Sequence, residues 1–269
     1  MAIRRRYRVT SMSIPAPQLA SPSRVRRTAD ARSRLLAGIA PKGLLPREVR
    51  AGDRPPLDEY YNSLFTALGP QHWWPGRTQF EVIVGAILTQ NTSWTNVERA
   101  ILRLREARLL SPRALRTVPL HRLEGLIRSS GYFRQKARKL KAFCEFLRTQ
   151  YGGSLKRMFA TPTIVLREKL LGVFGIGPET ADSILLYAGD HSVFVVDAYT
   201  KRLLLRHGWA DENAKYDDVR WMFEREFPGD IKRFNEFHAL IVNTGKNFCR
   251  AHDPACHQCP LGRYLEEGR

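Results

Sequence analysis

Two groups of residues in this chain have types and spacings suited to chemistry. The first is Leu171-Gly172-Val173-Phe174-Gly175-Ile176-Gly177-Pro178-Glu179-Thr180-Ala181, followed by Val195-Val196-Asp197. It reads as a helix end, a tight glycine hairpin and a new helix opened by Pro178, whose missing N–H would be unpaired in a first turn anyway. Such a turn directs backbone N–H groups outward with the positive end of a helix dipole behind them, which suits a phosphate. A carboxylate some twenty residues later, just after an apolar run, can be held beside whatever nucleotide that phosphate positions. Asp197 is the candidate. Standing before Ala198-Tyr199-Thr200-Lys201 it is also a good helix N-cap, and the two roles are compatible because a capped carboxylate is well fixed.

The second group is Cys249-x6-Cys256-x2-Cys259, a spacing that suits metal ligation. The remaining cysteine, Cys144, falls on the apolar stripe of a helix and reads as a buried core thiol. Three outcomes stay open for the loop: a cluster with a non-cysteine fourth ligand such as His257 or His252, zinc in a Cys3His arrangement, or no metal at all.

The elements that must position these groups are helical. Phe80 to Gln90 is apolar nearly all round, as a central helix would be. Three-and-four spacing recurs at Tyr61, Leu64, Phe65, Leu68; at Val97, Ala100, Ile101, Leu104; at Ala137, Leu140, Phe143, Cys144, Leu147; and at Ala181, Ile184, Leu185, Ala188. Val193 to Val196 is too short to argue for a sheet, so the expected class is all-α.

A formal charge of +18 and a pI near 10.3 point to a polyanionic partner. Residues 1–55 contribute +10 of this, leaving a basic remainder. They are rich in Arg, Pro, Ser and Ala and are expected to be mostly disordered, apart from a short helix near Ala29 to Leu36. A transit peptide, a DNA-tethering arm and a start codon misassigned upstream of Met12 are equally open readings. Nothing approaches an eighteen-residue apolar run, so no membrane span is expected.

The hairpin and aspartate together resemble the helix-hairpin-helix, Gly/Pro…Asp (HhH-GPD) superfamily of DNA glycosylases, typified by endonuclease III. Phe80 to Thr92 looks like its buried second helix, Gly131-Tyr132-Phe133-Arg134-Gln135-Lys136-Ala137 is similar to its glycine-started helix, and the cysteine loop looks like its iron–sulfur loop. The resemblance runs from about residue 58 to the end, in the family's order. It implies two lobes: a six-helix barrel over 71–191 carrying the hairpin, and a second lobe combining 56–70 with 192–269, with Asp197 at the boundary. It implies a monomer acting on damaged double-stranded DNA in the cytoplasm or nucleoid. Main-chain groups at Gly175, Ile176 and Gly177, together with Thr180, would bind DNA, and Gln90 would fill the gap left by a flipped nucleotide.

The resemblance also sorts chemistry. Family members that cleave the abasic strand carry a lysine two residues after the second hairpin glycine, and here that residue is Glu179, which cannot form an imine. The expected reaction is hydrolytic base release with the strand left intact. Glu179 also reads, and more simply, as a first-turn acid complementing the helix dipole. Trp73-Trp74-Pro75 and Gln90-Asn91-Thr92-x-Trp94 resemble the 3-methyladenine glycosylase branch, which implies a base sandwiched by Trp73 and Trp94, Trp74 in the core, and Lys246 in the pocket. An aromatic face restores stacking to a flipped base, and a cationic purine adds a cation–π term. The alternatives are a bifunctional endonuclease III-like lyase on oxidised pyrimidines and a non-catalytic hairpin DNA-binding protein. In the cysteine loop the family's fourth cysteine position holds Leu265, so the four-iron, four-sulfur cluster the resemblance implies would lack one thiolate.

Overall fold

The computed structural model describes residues 54–265. The basic extension, but for its last two residues, and its short expected helix lie outside them. The described residues are helical with no strand, as the apolar periodicity predicts. In chain order the helices are α1 (Leu57–Leu68), α2 (Gln79–Leu88), α3 (Trp94–Glu106), α4 (Pro112–Thr117), α5 (Leu120–Leu126), α6 (Phe133–Tyr151), α7 (Leu155–Phe159), α8 (Thr163–Leu171), α9 (Pro178–Ser183), α10 (Ala198–Arg206), α11 (Tyr216–Glu226) and α12 (Ile231–Asn247). The helix opened by Pro178 continues past Ser183 as a π-helical turn, Ile184–Ala188.

Helix α2 is the hub. Every residue from Phe80 to Leu88 is buried, and the helix packs against α3, α6, α9 and the π-helical turn. Thr78 caps it by accepting from the Glu81 amide, and the Glu81 carboxylate, itself buried, is paired with Arg105 at 2.7 Å. Its C-terminal end is closed by a buried cation: Lys136 Nζ donates to the Leu88 carbonyl at 2.9 Å and to the Ser130 carbonyl at 2.6 Å. Burial lowers the Lys136 pKa to about 8, with Lys139 adding to the effect.

Helix α1 packs on α12, far along the sequence, which fastens the start of the described chain to its end. Here the expected stripe is displaced by one residue. Tyr60 is buried and Phe65 is 39% exposed, whereas the spacing points to Tyr61 and Phe65. Leu57, Tyr60 and Leu64 satisfy the same three-and-four period, and the choice is made by polar partners: the Tyr60 hydroxyl meets His207 Nδ1 at 2.8 Å and accepts from Trp209 Nε1 at 3.1 Å. Tyr61 instead stacks on Phe65 beneath the Arg233 guanidinium.

The helices flanking the hairpin are clamped by charge. Arg167 of α8 donates to both oxygens of the fully buried Asp182 of α9, at 2.7 and 3.1 Å, and reaches Asp217 of α11 at 2.8 Å. The segment leading to Asp197 is extended and buried without a neighbouring strand. Its amides are satisfied by side chains: Phe194 N–H donates to Glu224 Oε1 and Val196 N–H to the Tyr216 hydroxyl.

Candidate active site

Asp197 caps α10. Its Oδ1 accepts from the Thr200 amide at 2.8 Å and from the Thr200 hydroxyl at 3.0 Å, and its side chain is 12% exposed. Its other oxygen, Oδ2, lies 3.5 Å from His238 Nε2. Burial alone would raise the carboxyl pKa, but the adjacent His238 and the Thr200 donors outweigh burial and hold it below its ordinary value. The imidazole is aimed by the Tyr187 hydroxyl, 2.5 Å from Nδ1. Neither His238 nor Tyr187 was singled out in sequence. His238 was legible as a polar residue within the apolar face Phe234, Phe237, Ile241, but nothing in the sequence connects it to Asp197.

A second carboxylate, Glu179, lies near enough to feel the Asp197 charge. Glu179 is exposed to solvent, yet protein surrounds it on most sides, and that low-dielectric surrounding together with the Asp197 charge pushes its pKa up to about 7, with Lys201 opposing. Lys246 is half-buried. Burial lowers its pKa while the Asp197 charge works the other way, and its ammonium lies 5.6 Å from the centre of the Trp73 ring.

The aromatic wall forms around Gly85. A Cβ there would sit 3.4 Å from Trp74 and 3.5 Å from Trp94, ordinary contact distances, so both rings lie directly against α2 at this position. Trp74 meets Trp94 edge-on at 5.2 Å and Tyr187 at 5.0 Å, and it packs on the core along with Trp94. Trp73 and Trp94 are 6.5 Å apart with planes inclined by 44°. A base stacked on two parallel faces needs roughly 7 Å between them, twice the usual carbon contact distance, so a ring must turn for both to stack on one base. Trp94 is tethered through Nε1 to Glu98 at 2.9 Å.

At the hairpin, Gly175 has φ +78°, and its backbone runs so close to Lys139 that a Cβ would fall 2.5 Å from that side chain. The amides of Gly175 and Gly177 donate to no group among the described residues, and the helix they precede has no side-chain cap. Ile176 differs: its amide is used within the turn, donating to Val173 O at 3.0 Å, and its side chain is buried, leaving Phe174 as the exposed tip. Thr180 is buried and turned inward toward Gln90. Gln90 Nε2 donates to Thr180 Oγ1 at 2.8 Å and to the Gly175 carbonyl at 3.1 Å, while its Oε1 accepts from Lys139 Nζ at 2.5 Å.

The cysteine loop follows α12 in the chain. Cys249, Cys256 and Cys259 line one cavity with Arg206, His207 and Leu265. Cys144 is not there; it is buried in the α6 core, where burial pushes its thiol up to about 12. His252 and His257, considered as fourth ligands, are exposed and do not line the cavity, a difference that follows from the loop turning them outward. Among the described residues no group of three or more His, Cys, Asp or Glu side chains is placed to hold a metal ion, and the three thiols that share one cavity are the groups a cluster would use. The fit has an independent mark: Arg206 is buried, its Nη1 donates to Cys249 Sγ at 3.1 Å, and its Nε has no hydrogen-bond partner.

A family model described as an HhH-GPD superfamily base excision DNA repair protein matches residues 84–228. A putative DNA repair glycosylase of Methanocaldococcus jannaschii is 47% identical over 206 residues, covering 76% of this chain and 93% of that protein. Endonuclease III of Thermotoga maritima is 26% identical over 187 residues, 70% of this chain and 82% of its own. Among solved structures, H. pylori 3-methyladenine DNA glycosylase bound to 1,N6-ethenoadenine superposes with a TM-score of 0.64 at 28% identity, over 71% of this chain and 97% of that one. A trapped endonuclease III–DNA covalent intermediate superposes with a TM-score of 0.68 at 25% identity, over 78% and 94%. A family match over more than half of the chain and a 47% identical relative show that the chain belongs to the HhH-GPD superfamily of base excision repair DNA glycosylases.

Proposed function

We propose that this chain is a monofunctional DNA N-glycosylase that releases alkylated purines from duplex DNA. The observation that carries the reading is the pairing of Asp197, capped and held ionised, with Glu179 at the position where an imine-forming lysine would be needed. As the C1′–N bond lengthens, the Asp197 carboxylate offsets the charge on the sugar and orients the attacking water. Glu179 has no amine, so the abasic strand is left uncut. The unpaired amides at Gly175 and Gly177 are the phosphate donors that would anchor the strand.

Trp73 and Trp94 form the base-binding wall in this reading. The Lys246 ammonium sits over the Trp73 ring, the face a cationic purine would take, so the lysine must swing aside when such a base enters. The likeness to a 3-methyladenine glycosylase bound to an adenine derivative supports this substrate class. The division into lobes at 71–191 and at 56–70 with 192–269 is retained as part of the proposal, as is action by a monomer. The loop cysteines Cys249, Cys256 and Cys259 would hold a four-iron, four-sulfur cluster, which when bound supplies a rigid structural knot. A second reading, base release with strand cleavage, has one observation in its favour: Lys246 lies near enough to Asp197 to feel its charge.

The test uses duplexes each carrying one damaged base. Strand breaks that appear only after alkali support hydrolytic release; breaks without alkali, or a borohydride-trapped adduct, overturn it. Asp197→Asn should abolish release while duplex affinity and the helix cap persist, since Asn is also a good cap.

A further inference from the structure

We propose that His238 and Tyr187 are positioning residues for base release: the Tyr187 hydroxyl fixes the imidazole with a hydrogen on Nε2, and that hydrogen holds Oδ2 of Asp197 so that the carboxylate keeps a single orientation. The inference rests on the reading that Asp197 serves base release, and adds which residues aim it and how they join it to the aromatic wall.

Asp197 needs a second support because its terminal torsion is soft. The donors of α10 reach only Oδ1: the Thr200 amide at 2.8 Å and the Thr200 hydroxyl at 3.0 Å. Oδ2 is left to His238, whose Nε2 lies 3.5 Å away. That is an ionic contact longer than a formed hydrogen bond, and Nε2 is buried. A shift of about half an ångström closes it, and catalytic hydrogen bonds are often long until substrate is bound.

The hydrogen on the imidazole is fixed from both sides. An ionised carboxylate only accepts, so the nitrogen facing it, Nε2, carries hydrogen. Across the ring, the Tyr187 hydroxyl lies 2.5 Å from Nδ1. Burial, reinforced by the Asp197 charge, raises the Tyr187 pKa well above its ordinary value, so the phenol keeps the hydrogen that it donates to a bare Nδ1. Trp73 opposes that rise as a donor to the phenol, yet its Nε1 is buried without a well-formed hydrogen bond. An indole N–H can only donate. Donors therefore run one way, from the base-binding wall to the carboxylate.

The fold places Tyr187 where it can make this link. It stands on the π-helical turn Ile184–Ala188, which packs against both α2 and α12, the helix that carries His238. Its ring meets Trp74 at 5.0 Å, and Trp74 meets Trp73 edge-on at 5.5 Å.

The experiment takes the full chain in excess over duplex DNA treated with dimethyl sulfate and follows release of methylated purines in a single turnover. Affinity is read separately, by fluorescence anisotropy on a duplex with an abasic-site analogue. His238→Leu should slow release roughly tenfold to a hundredfold, the worth of one hydrogen bond to a charged group, with affinity unchanged. His238→Gln, which returns an amide N–H near the place of Nε2, should recover most of the rate. Tyr187→Phe keeps the ring against Trp74 and should slow release about tenfold. NMR of nitrogen-labelled histidine, with His238→Gln identifying the resonance, should show the hydrogen on Nε2 in the wild type and a mixture of tautomers in Tyr187→Phe. Far-UV circular dichroism checks that each variant is folded, and should His238→Leu fail to fold, Tyr187→Phe and the NMR decide. Unchanged rates in the folded variants, or a bare Nε2, overturn the inference. A slower rate matched by an equal loss of affinity also overturns it, because lost packing would do the same. A wild type that releases no purine, or an Asp197→Asn variant as active as wild type, overturns instead the reading of Asp197 beneath it.

Discussion

Gln90, at the end of the central helix, is bonded through its side-chain amide to Thr180 in the helix opened by the hairpin, at 2.8 Å across ninety residues of sequence. The same amide holds the Gly175 carbonyl, and Lys139 closes the set from the other side. In the free protein the residue expected to enter DNA is thus fastened to the turn expected to grip the phosphate. In the proposed role, engaging the duplex would exchange these bonds for others.

Gln90→Ala is expected to lower stability by about 1 to 2 kcal/mol, the net worth of a few partly exposed hydrogen bonds. It should also weaken binding to a duplex with an abasic site more than to an intact one. Thermal melts and a fluorescence anisotropy titration on the two duplexes check both parts; equal weakening on each would speak against a gap-filling role.

Gly175→Ala is expected to cost about 1 to 2 kcal/mol from the left-handed backbone alone, with a further loss because the new Cβ meets Lys139. Adding Lys139→Ala should recover the steric part and leave the conformational part. Chemical denaturation of the two variants separates the contributions.

Glu179 has an ordinary value of 4.5 and a folded value of about 7, so in that window the folded chain keeps a proton the unfolded chain has released. Its contribution to stability is full below pH 4.5 and is lost as the pH rises through about 7. Glu179→Gln should therefore remove a decline in melting temperature over this window. Asp197 behaves oppositely, since its folded value is depressed: its contribution is present above its ordinary value of 3.8 and lost as the solution is acidified through the folded value. Melting curves across pH for Glu179→Gln and Asp197→Asn check the two signs.

Trp74→Ala is expected to destabilise by about 3 kcal/mol, because that ring packs on the core beside Trp94 and Tyr187. Trp73→Ala should cost less stability and instead lower kcat/KM for base release, by up to the roughly 1 to 3 kcal/mol that stacking on one aromatic face returns. Melting temperature and single-turnover kinetics on both variants show whether the two tryptophans divide the work this way.

Much of this molecule is local information. The periodicity of α2, α3, α6 and the helix after Pro178 is written in the chain, because burying an apolar stripe requires nothing beyond its spacing. The capping of α10 by Asp197 and the turn at Gly175 are likewise legible, since a cap needs only the right side chain before the helix and a positive φ favours glycine. What the spacing left open was decided by contacts between residues far apart in the chain. Tyr60 is chosen over Tyr61 by His207, Asp197 is held ionised by a histidine forty-one residues on, Glu179 is pushed toward neutrality by the protein around it and then by Asp197, and His207 rather than His252 or His257 lines the cavity with the cysteines. Each of these depends on distance and dielectric, which fall steeply within a few ångströms, and such distances exist only once the helices have packed.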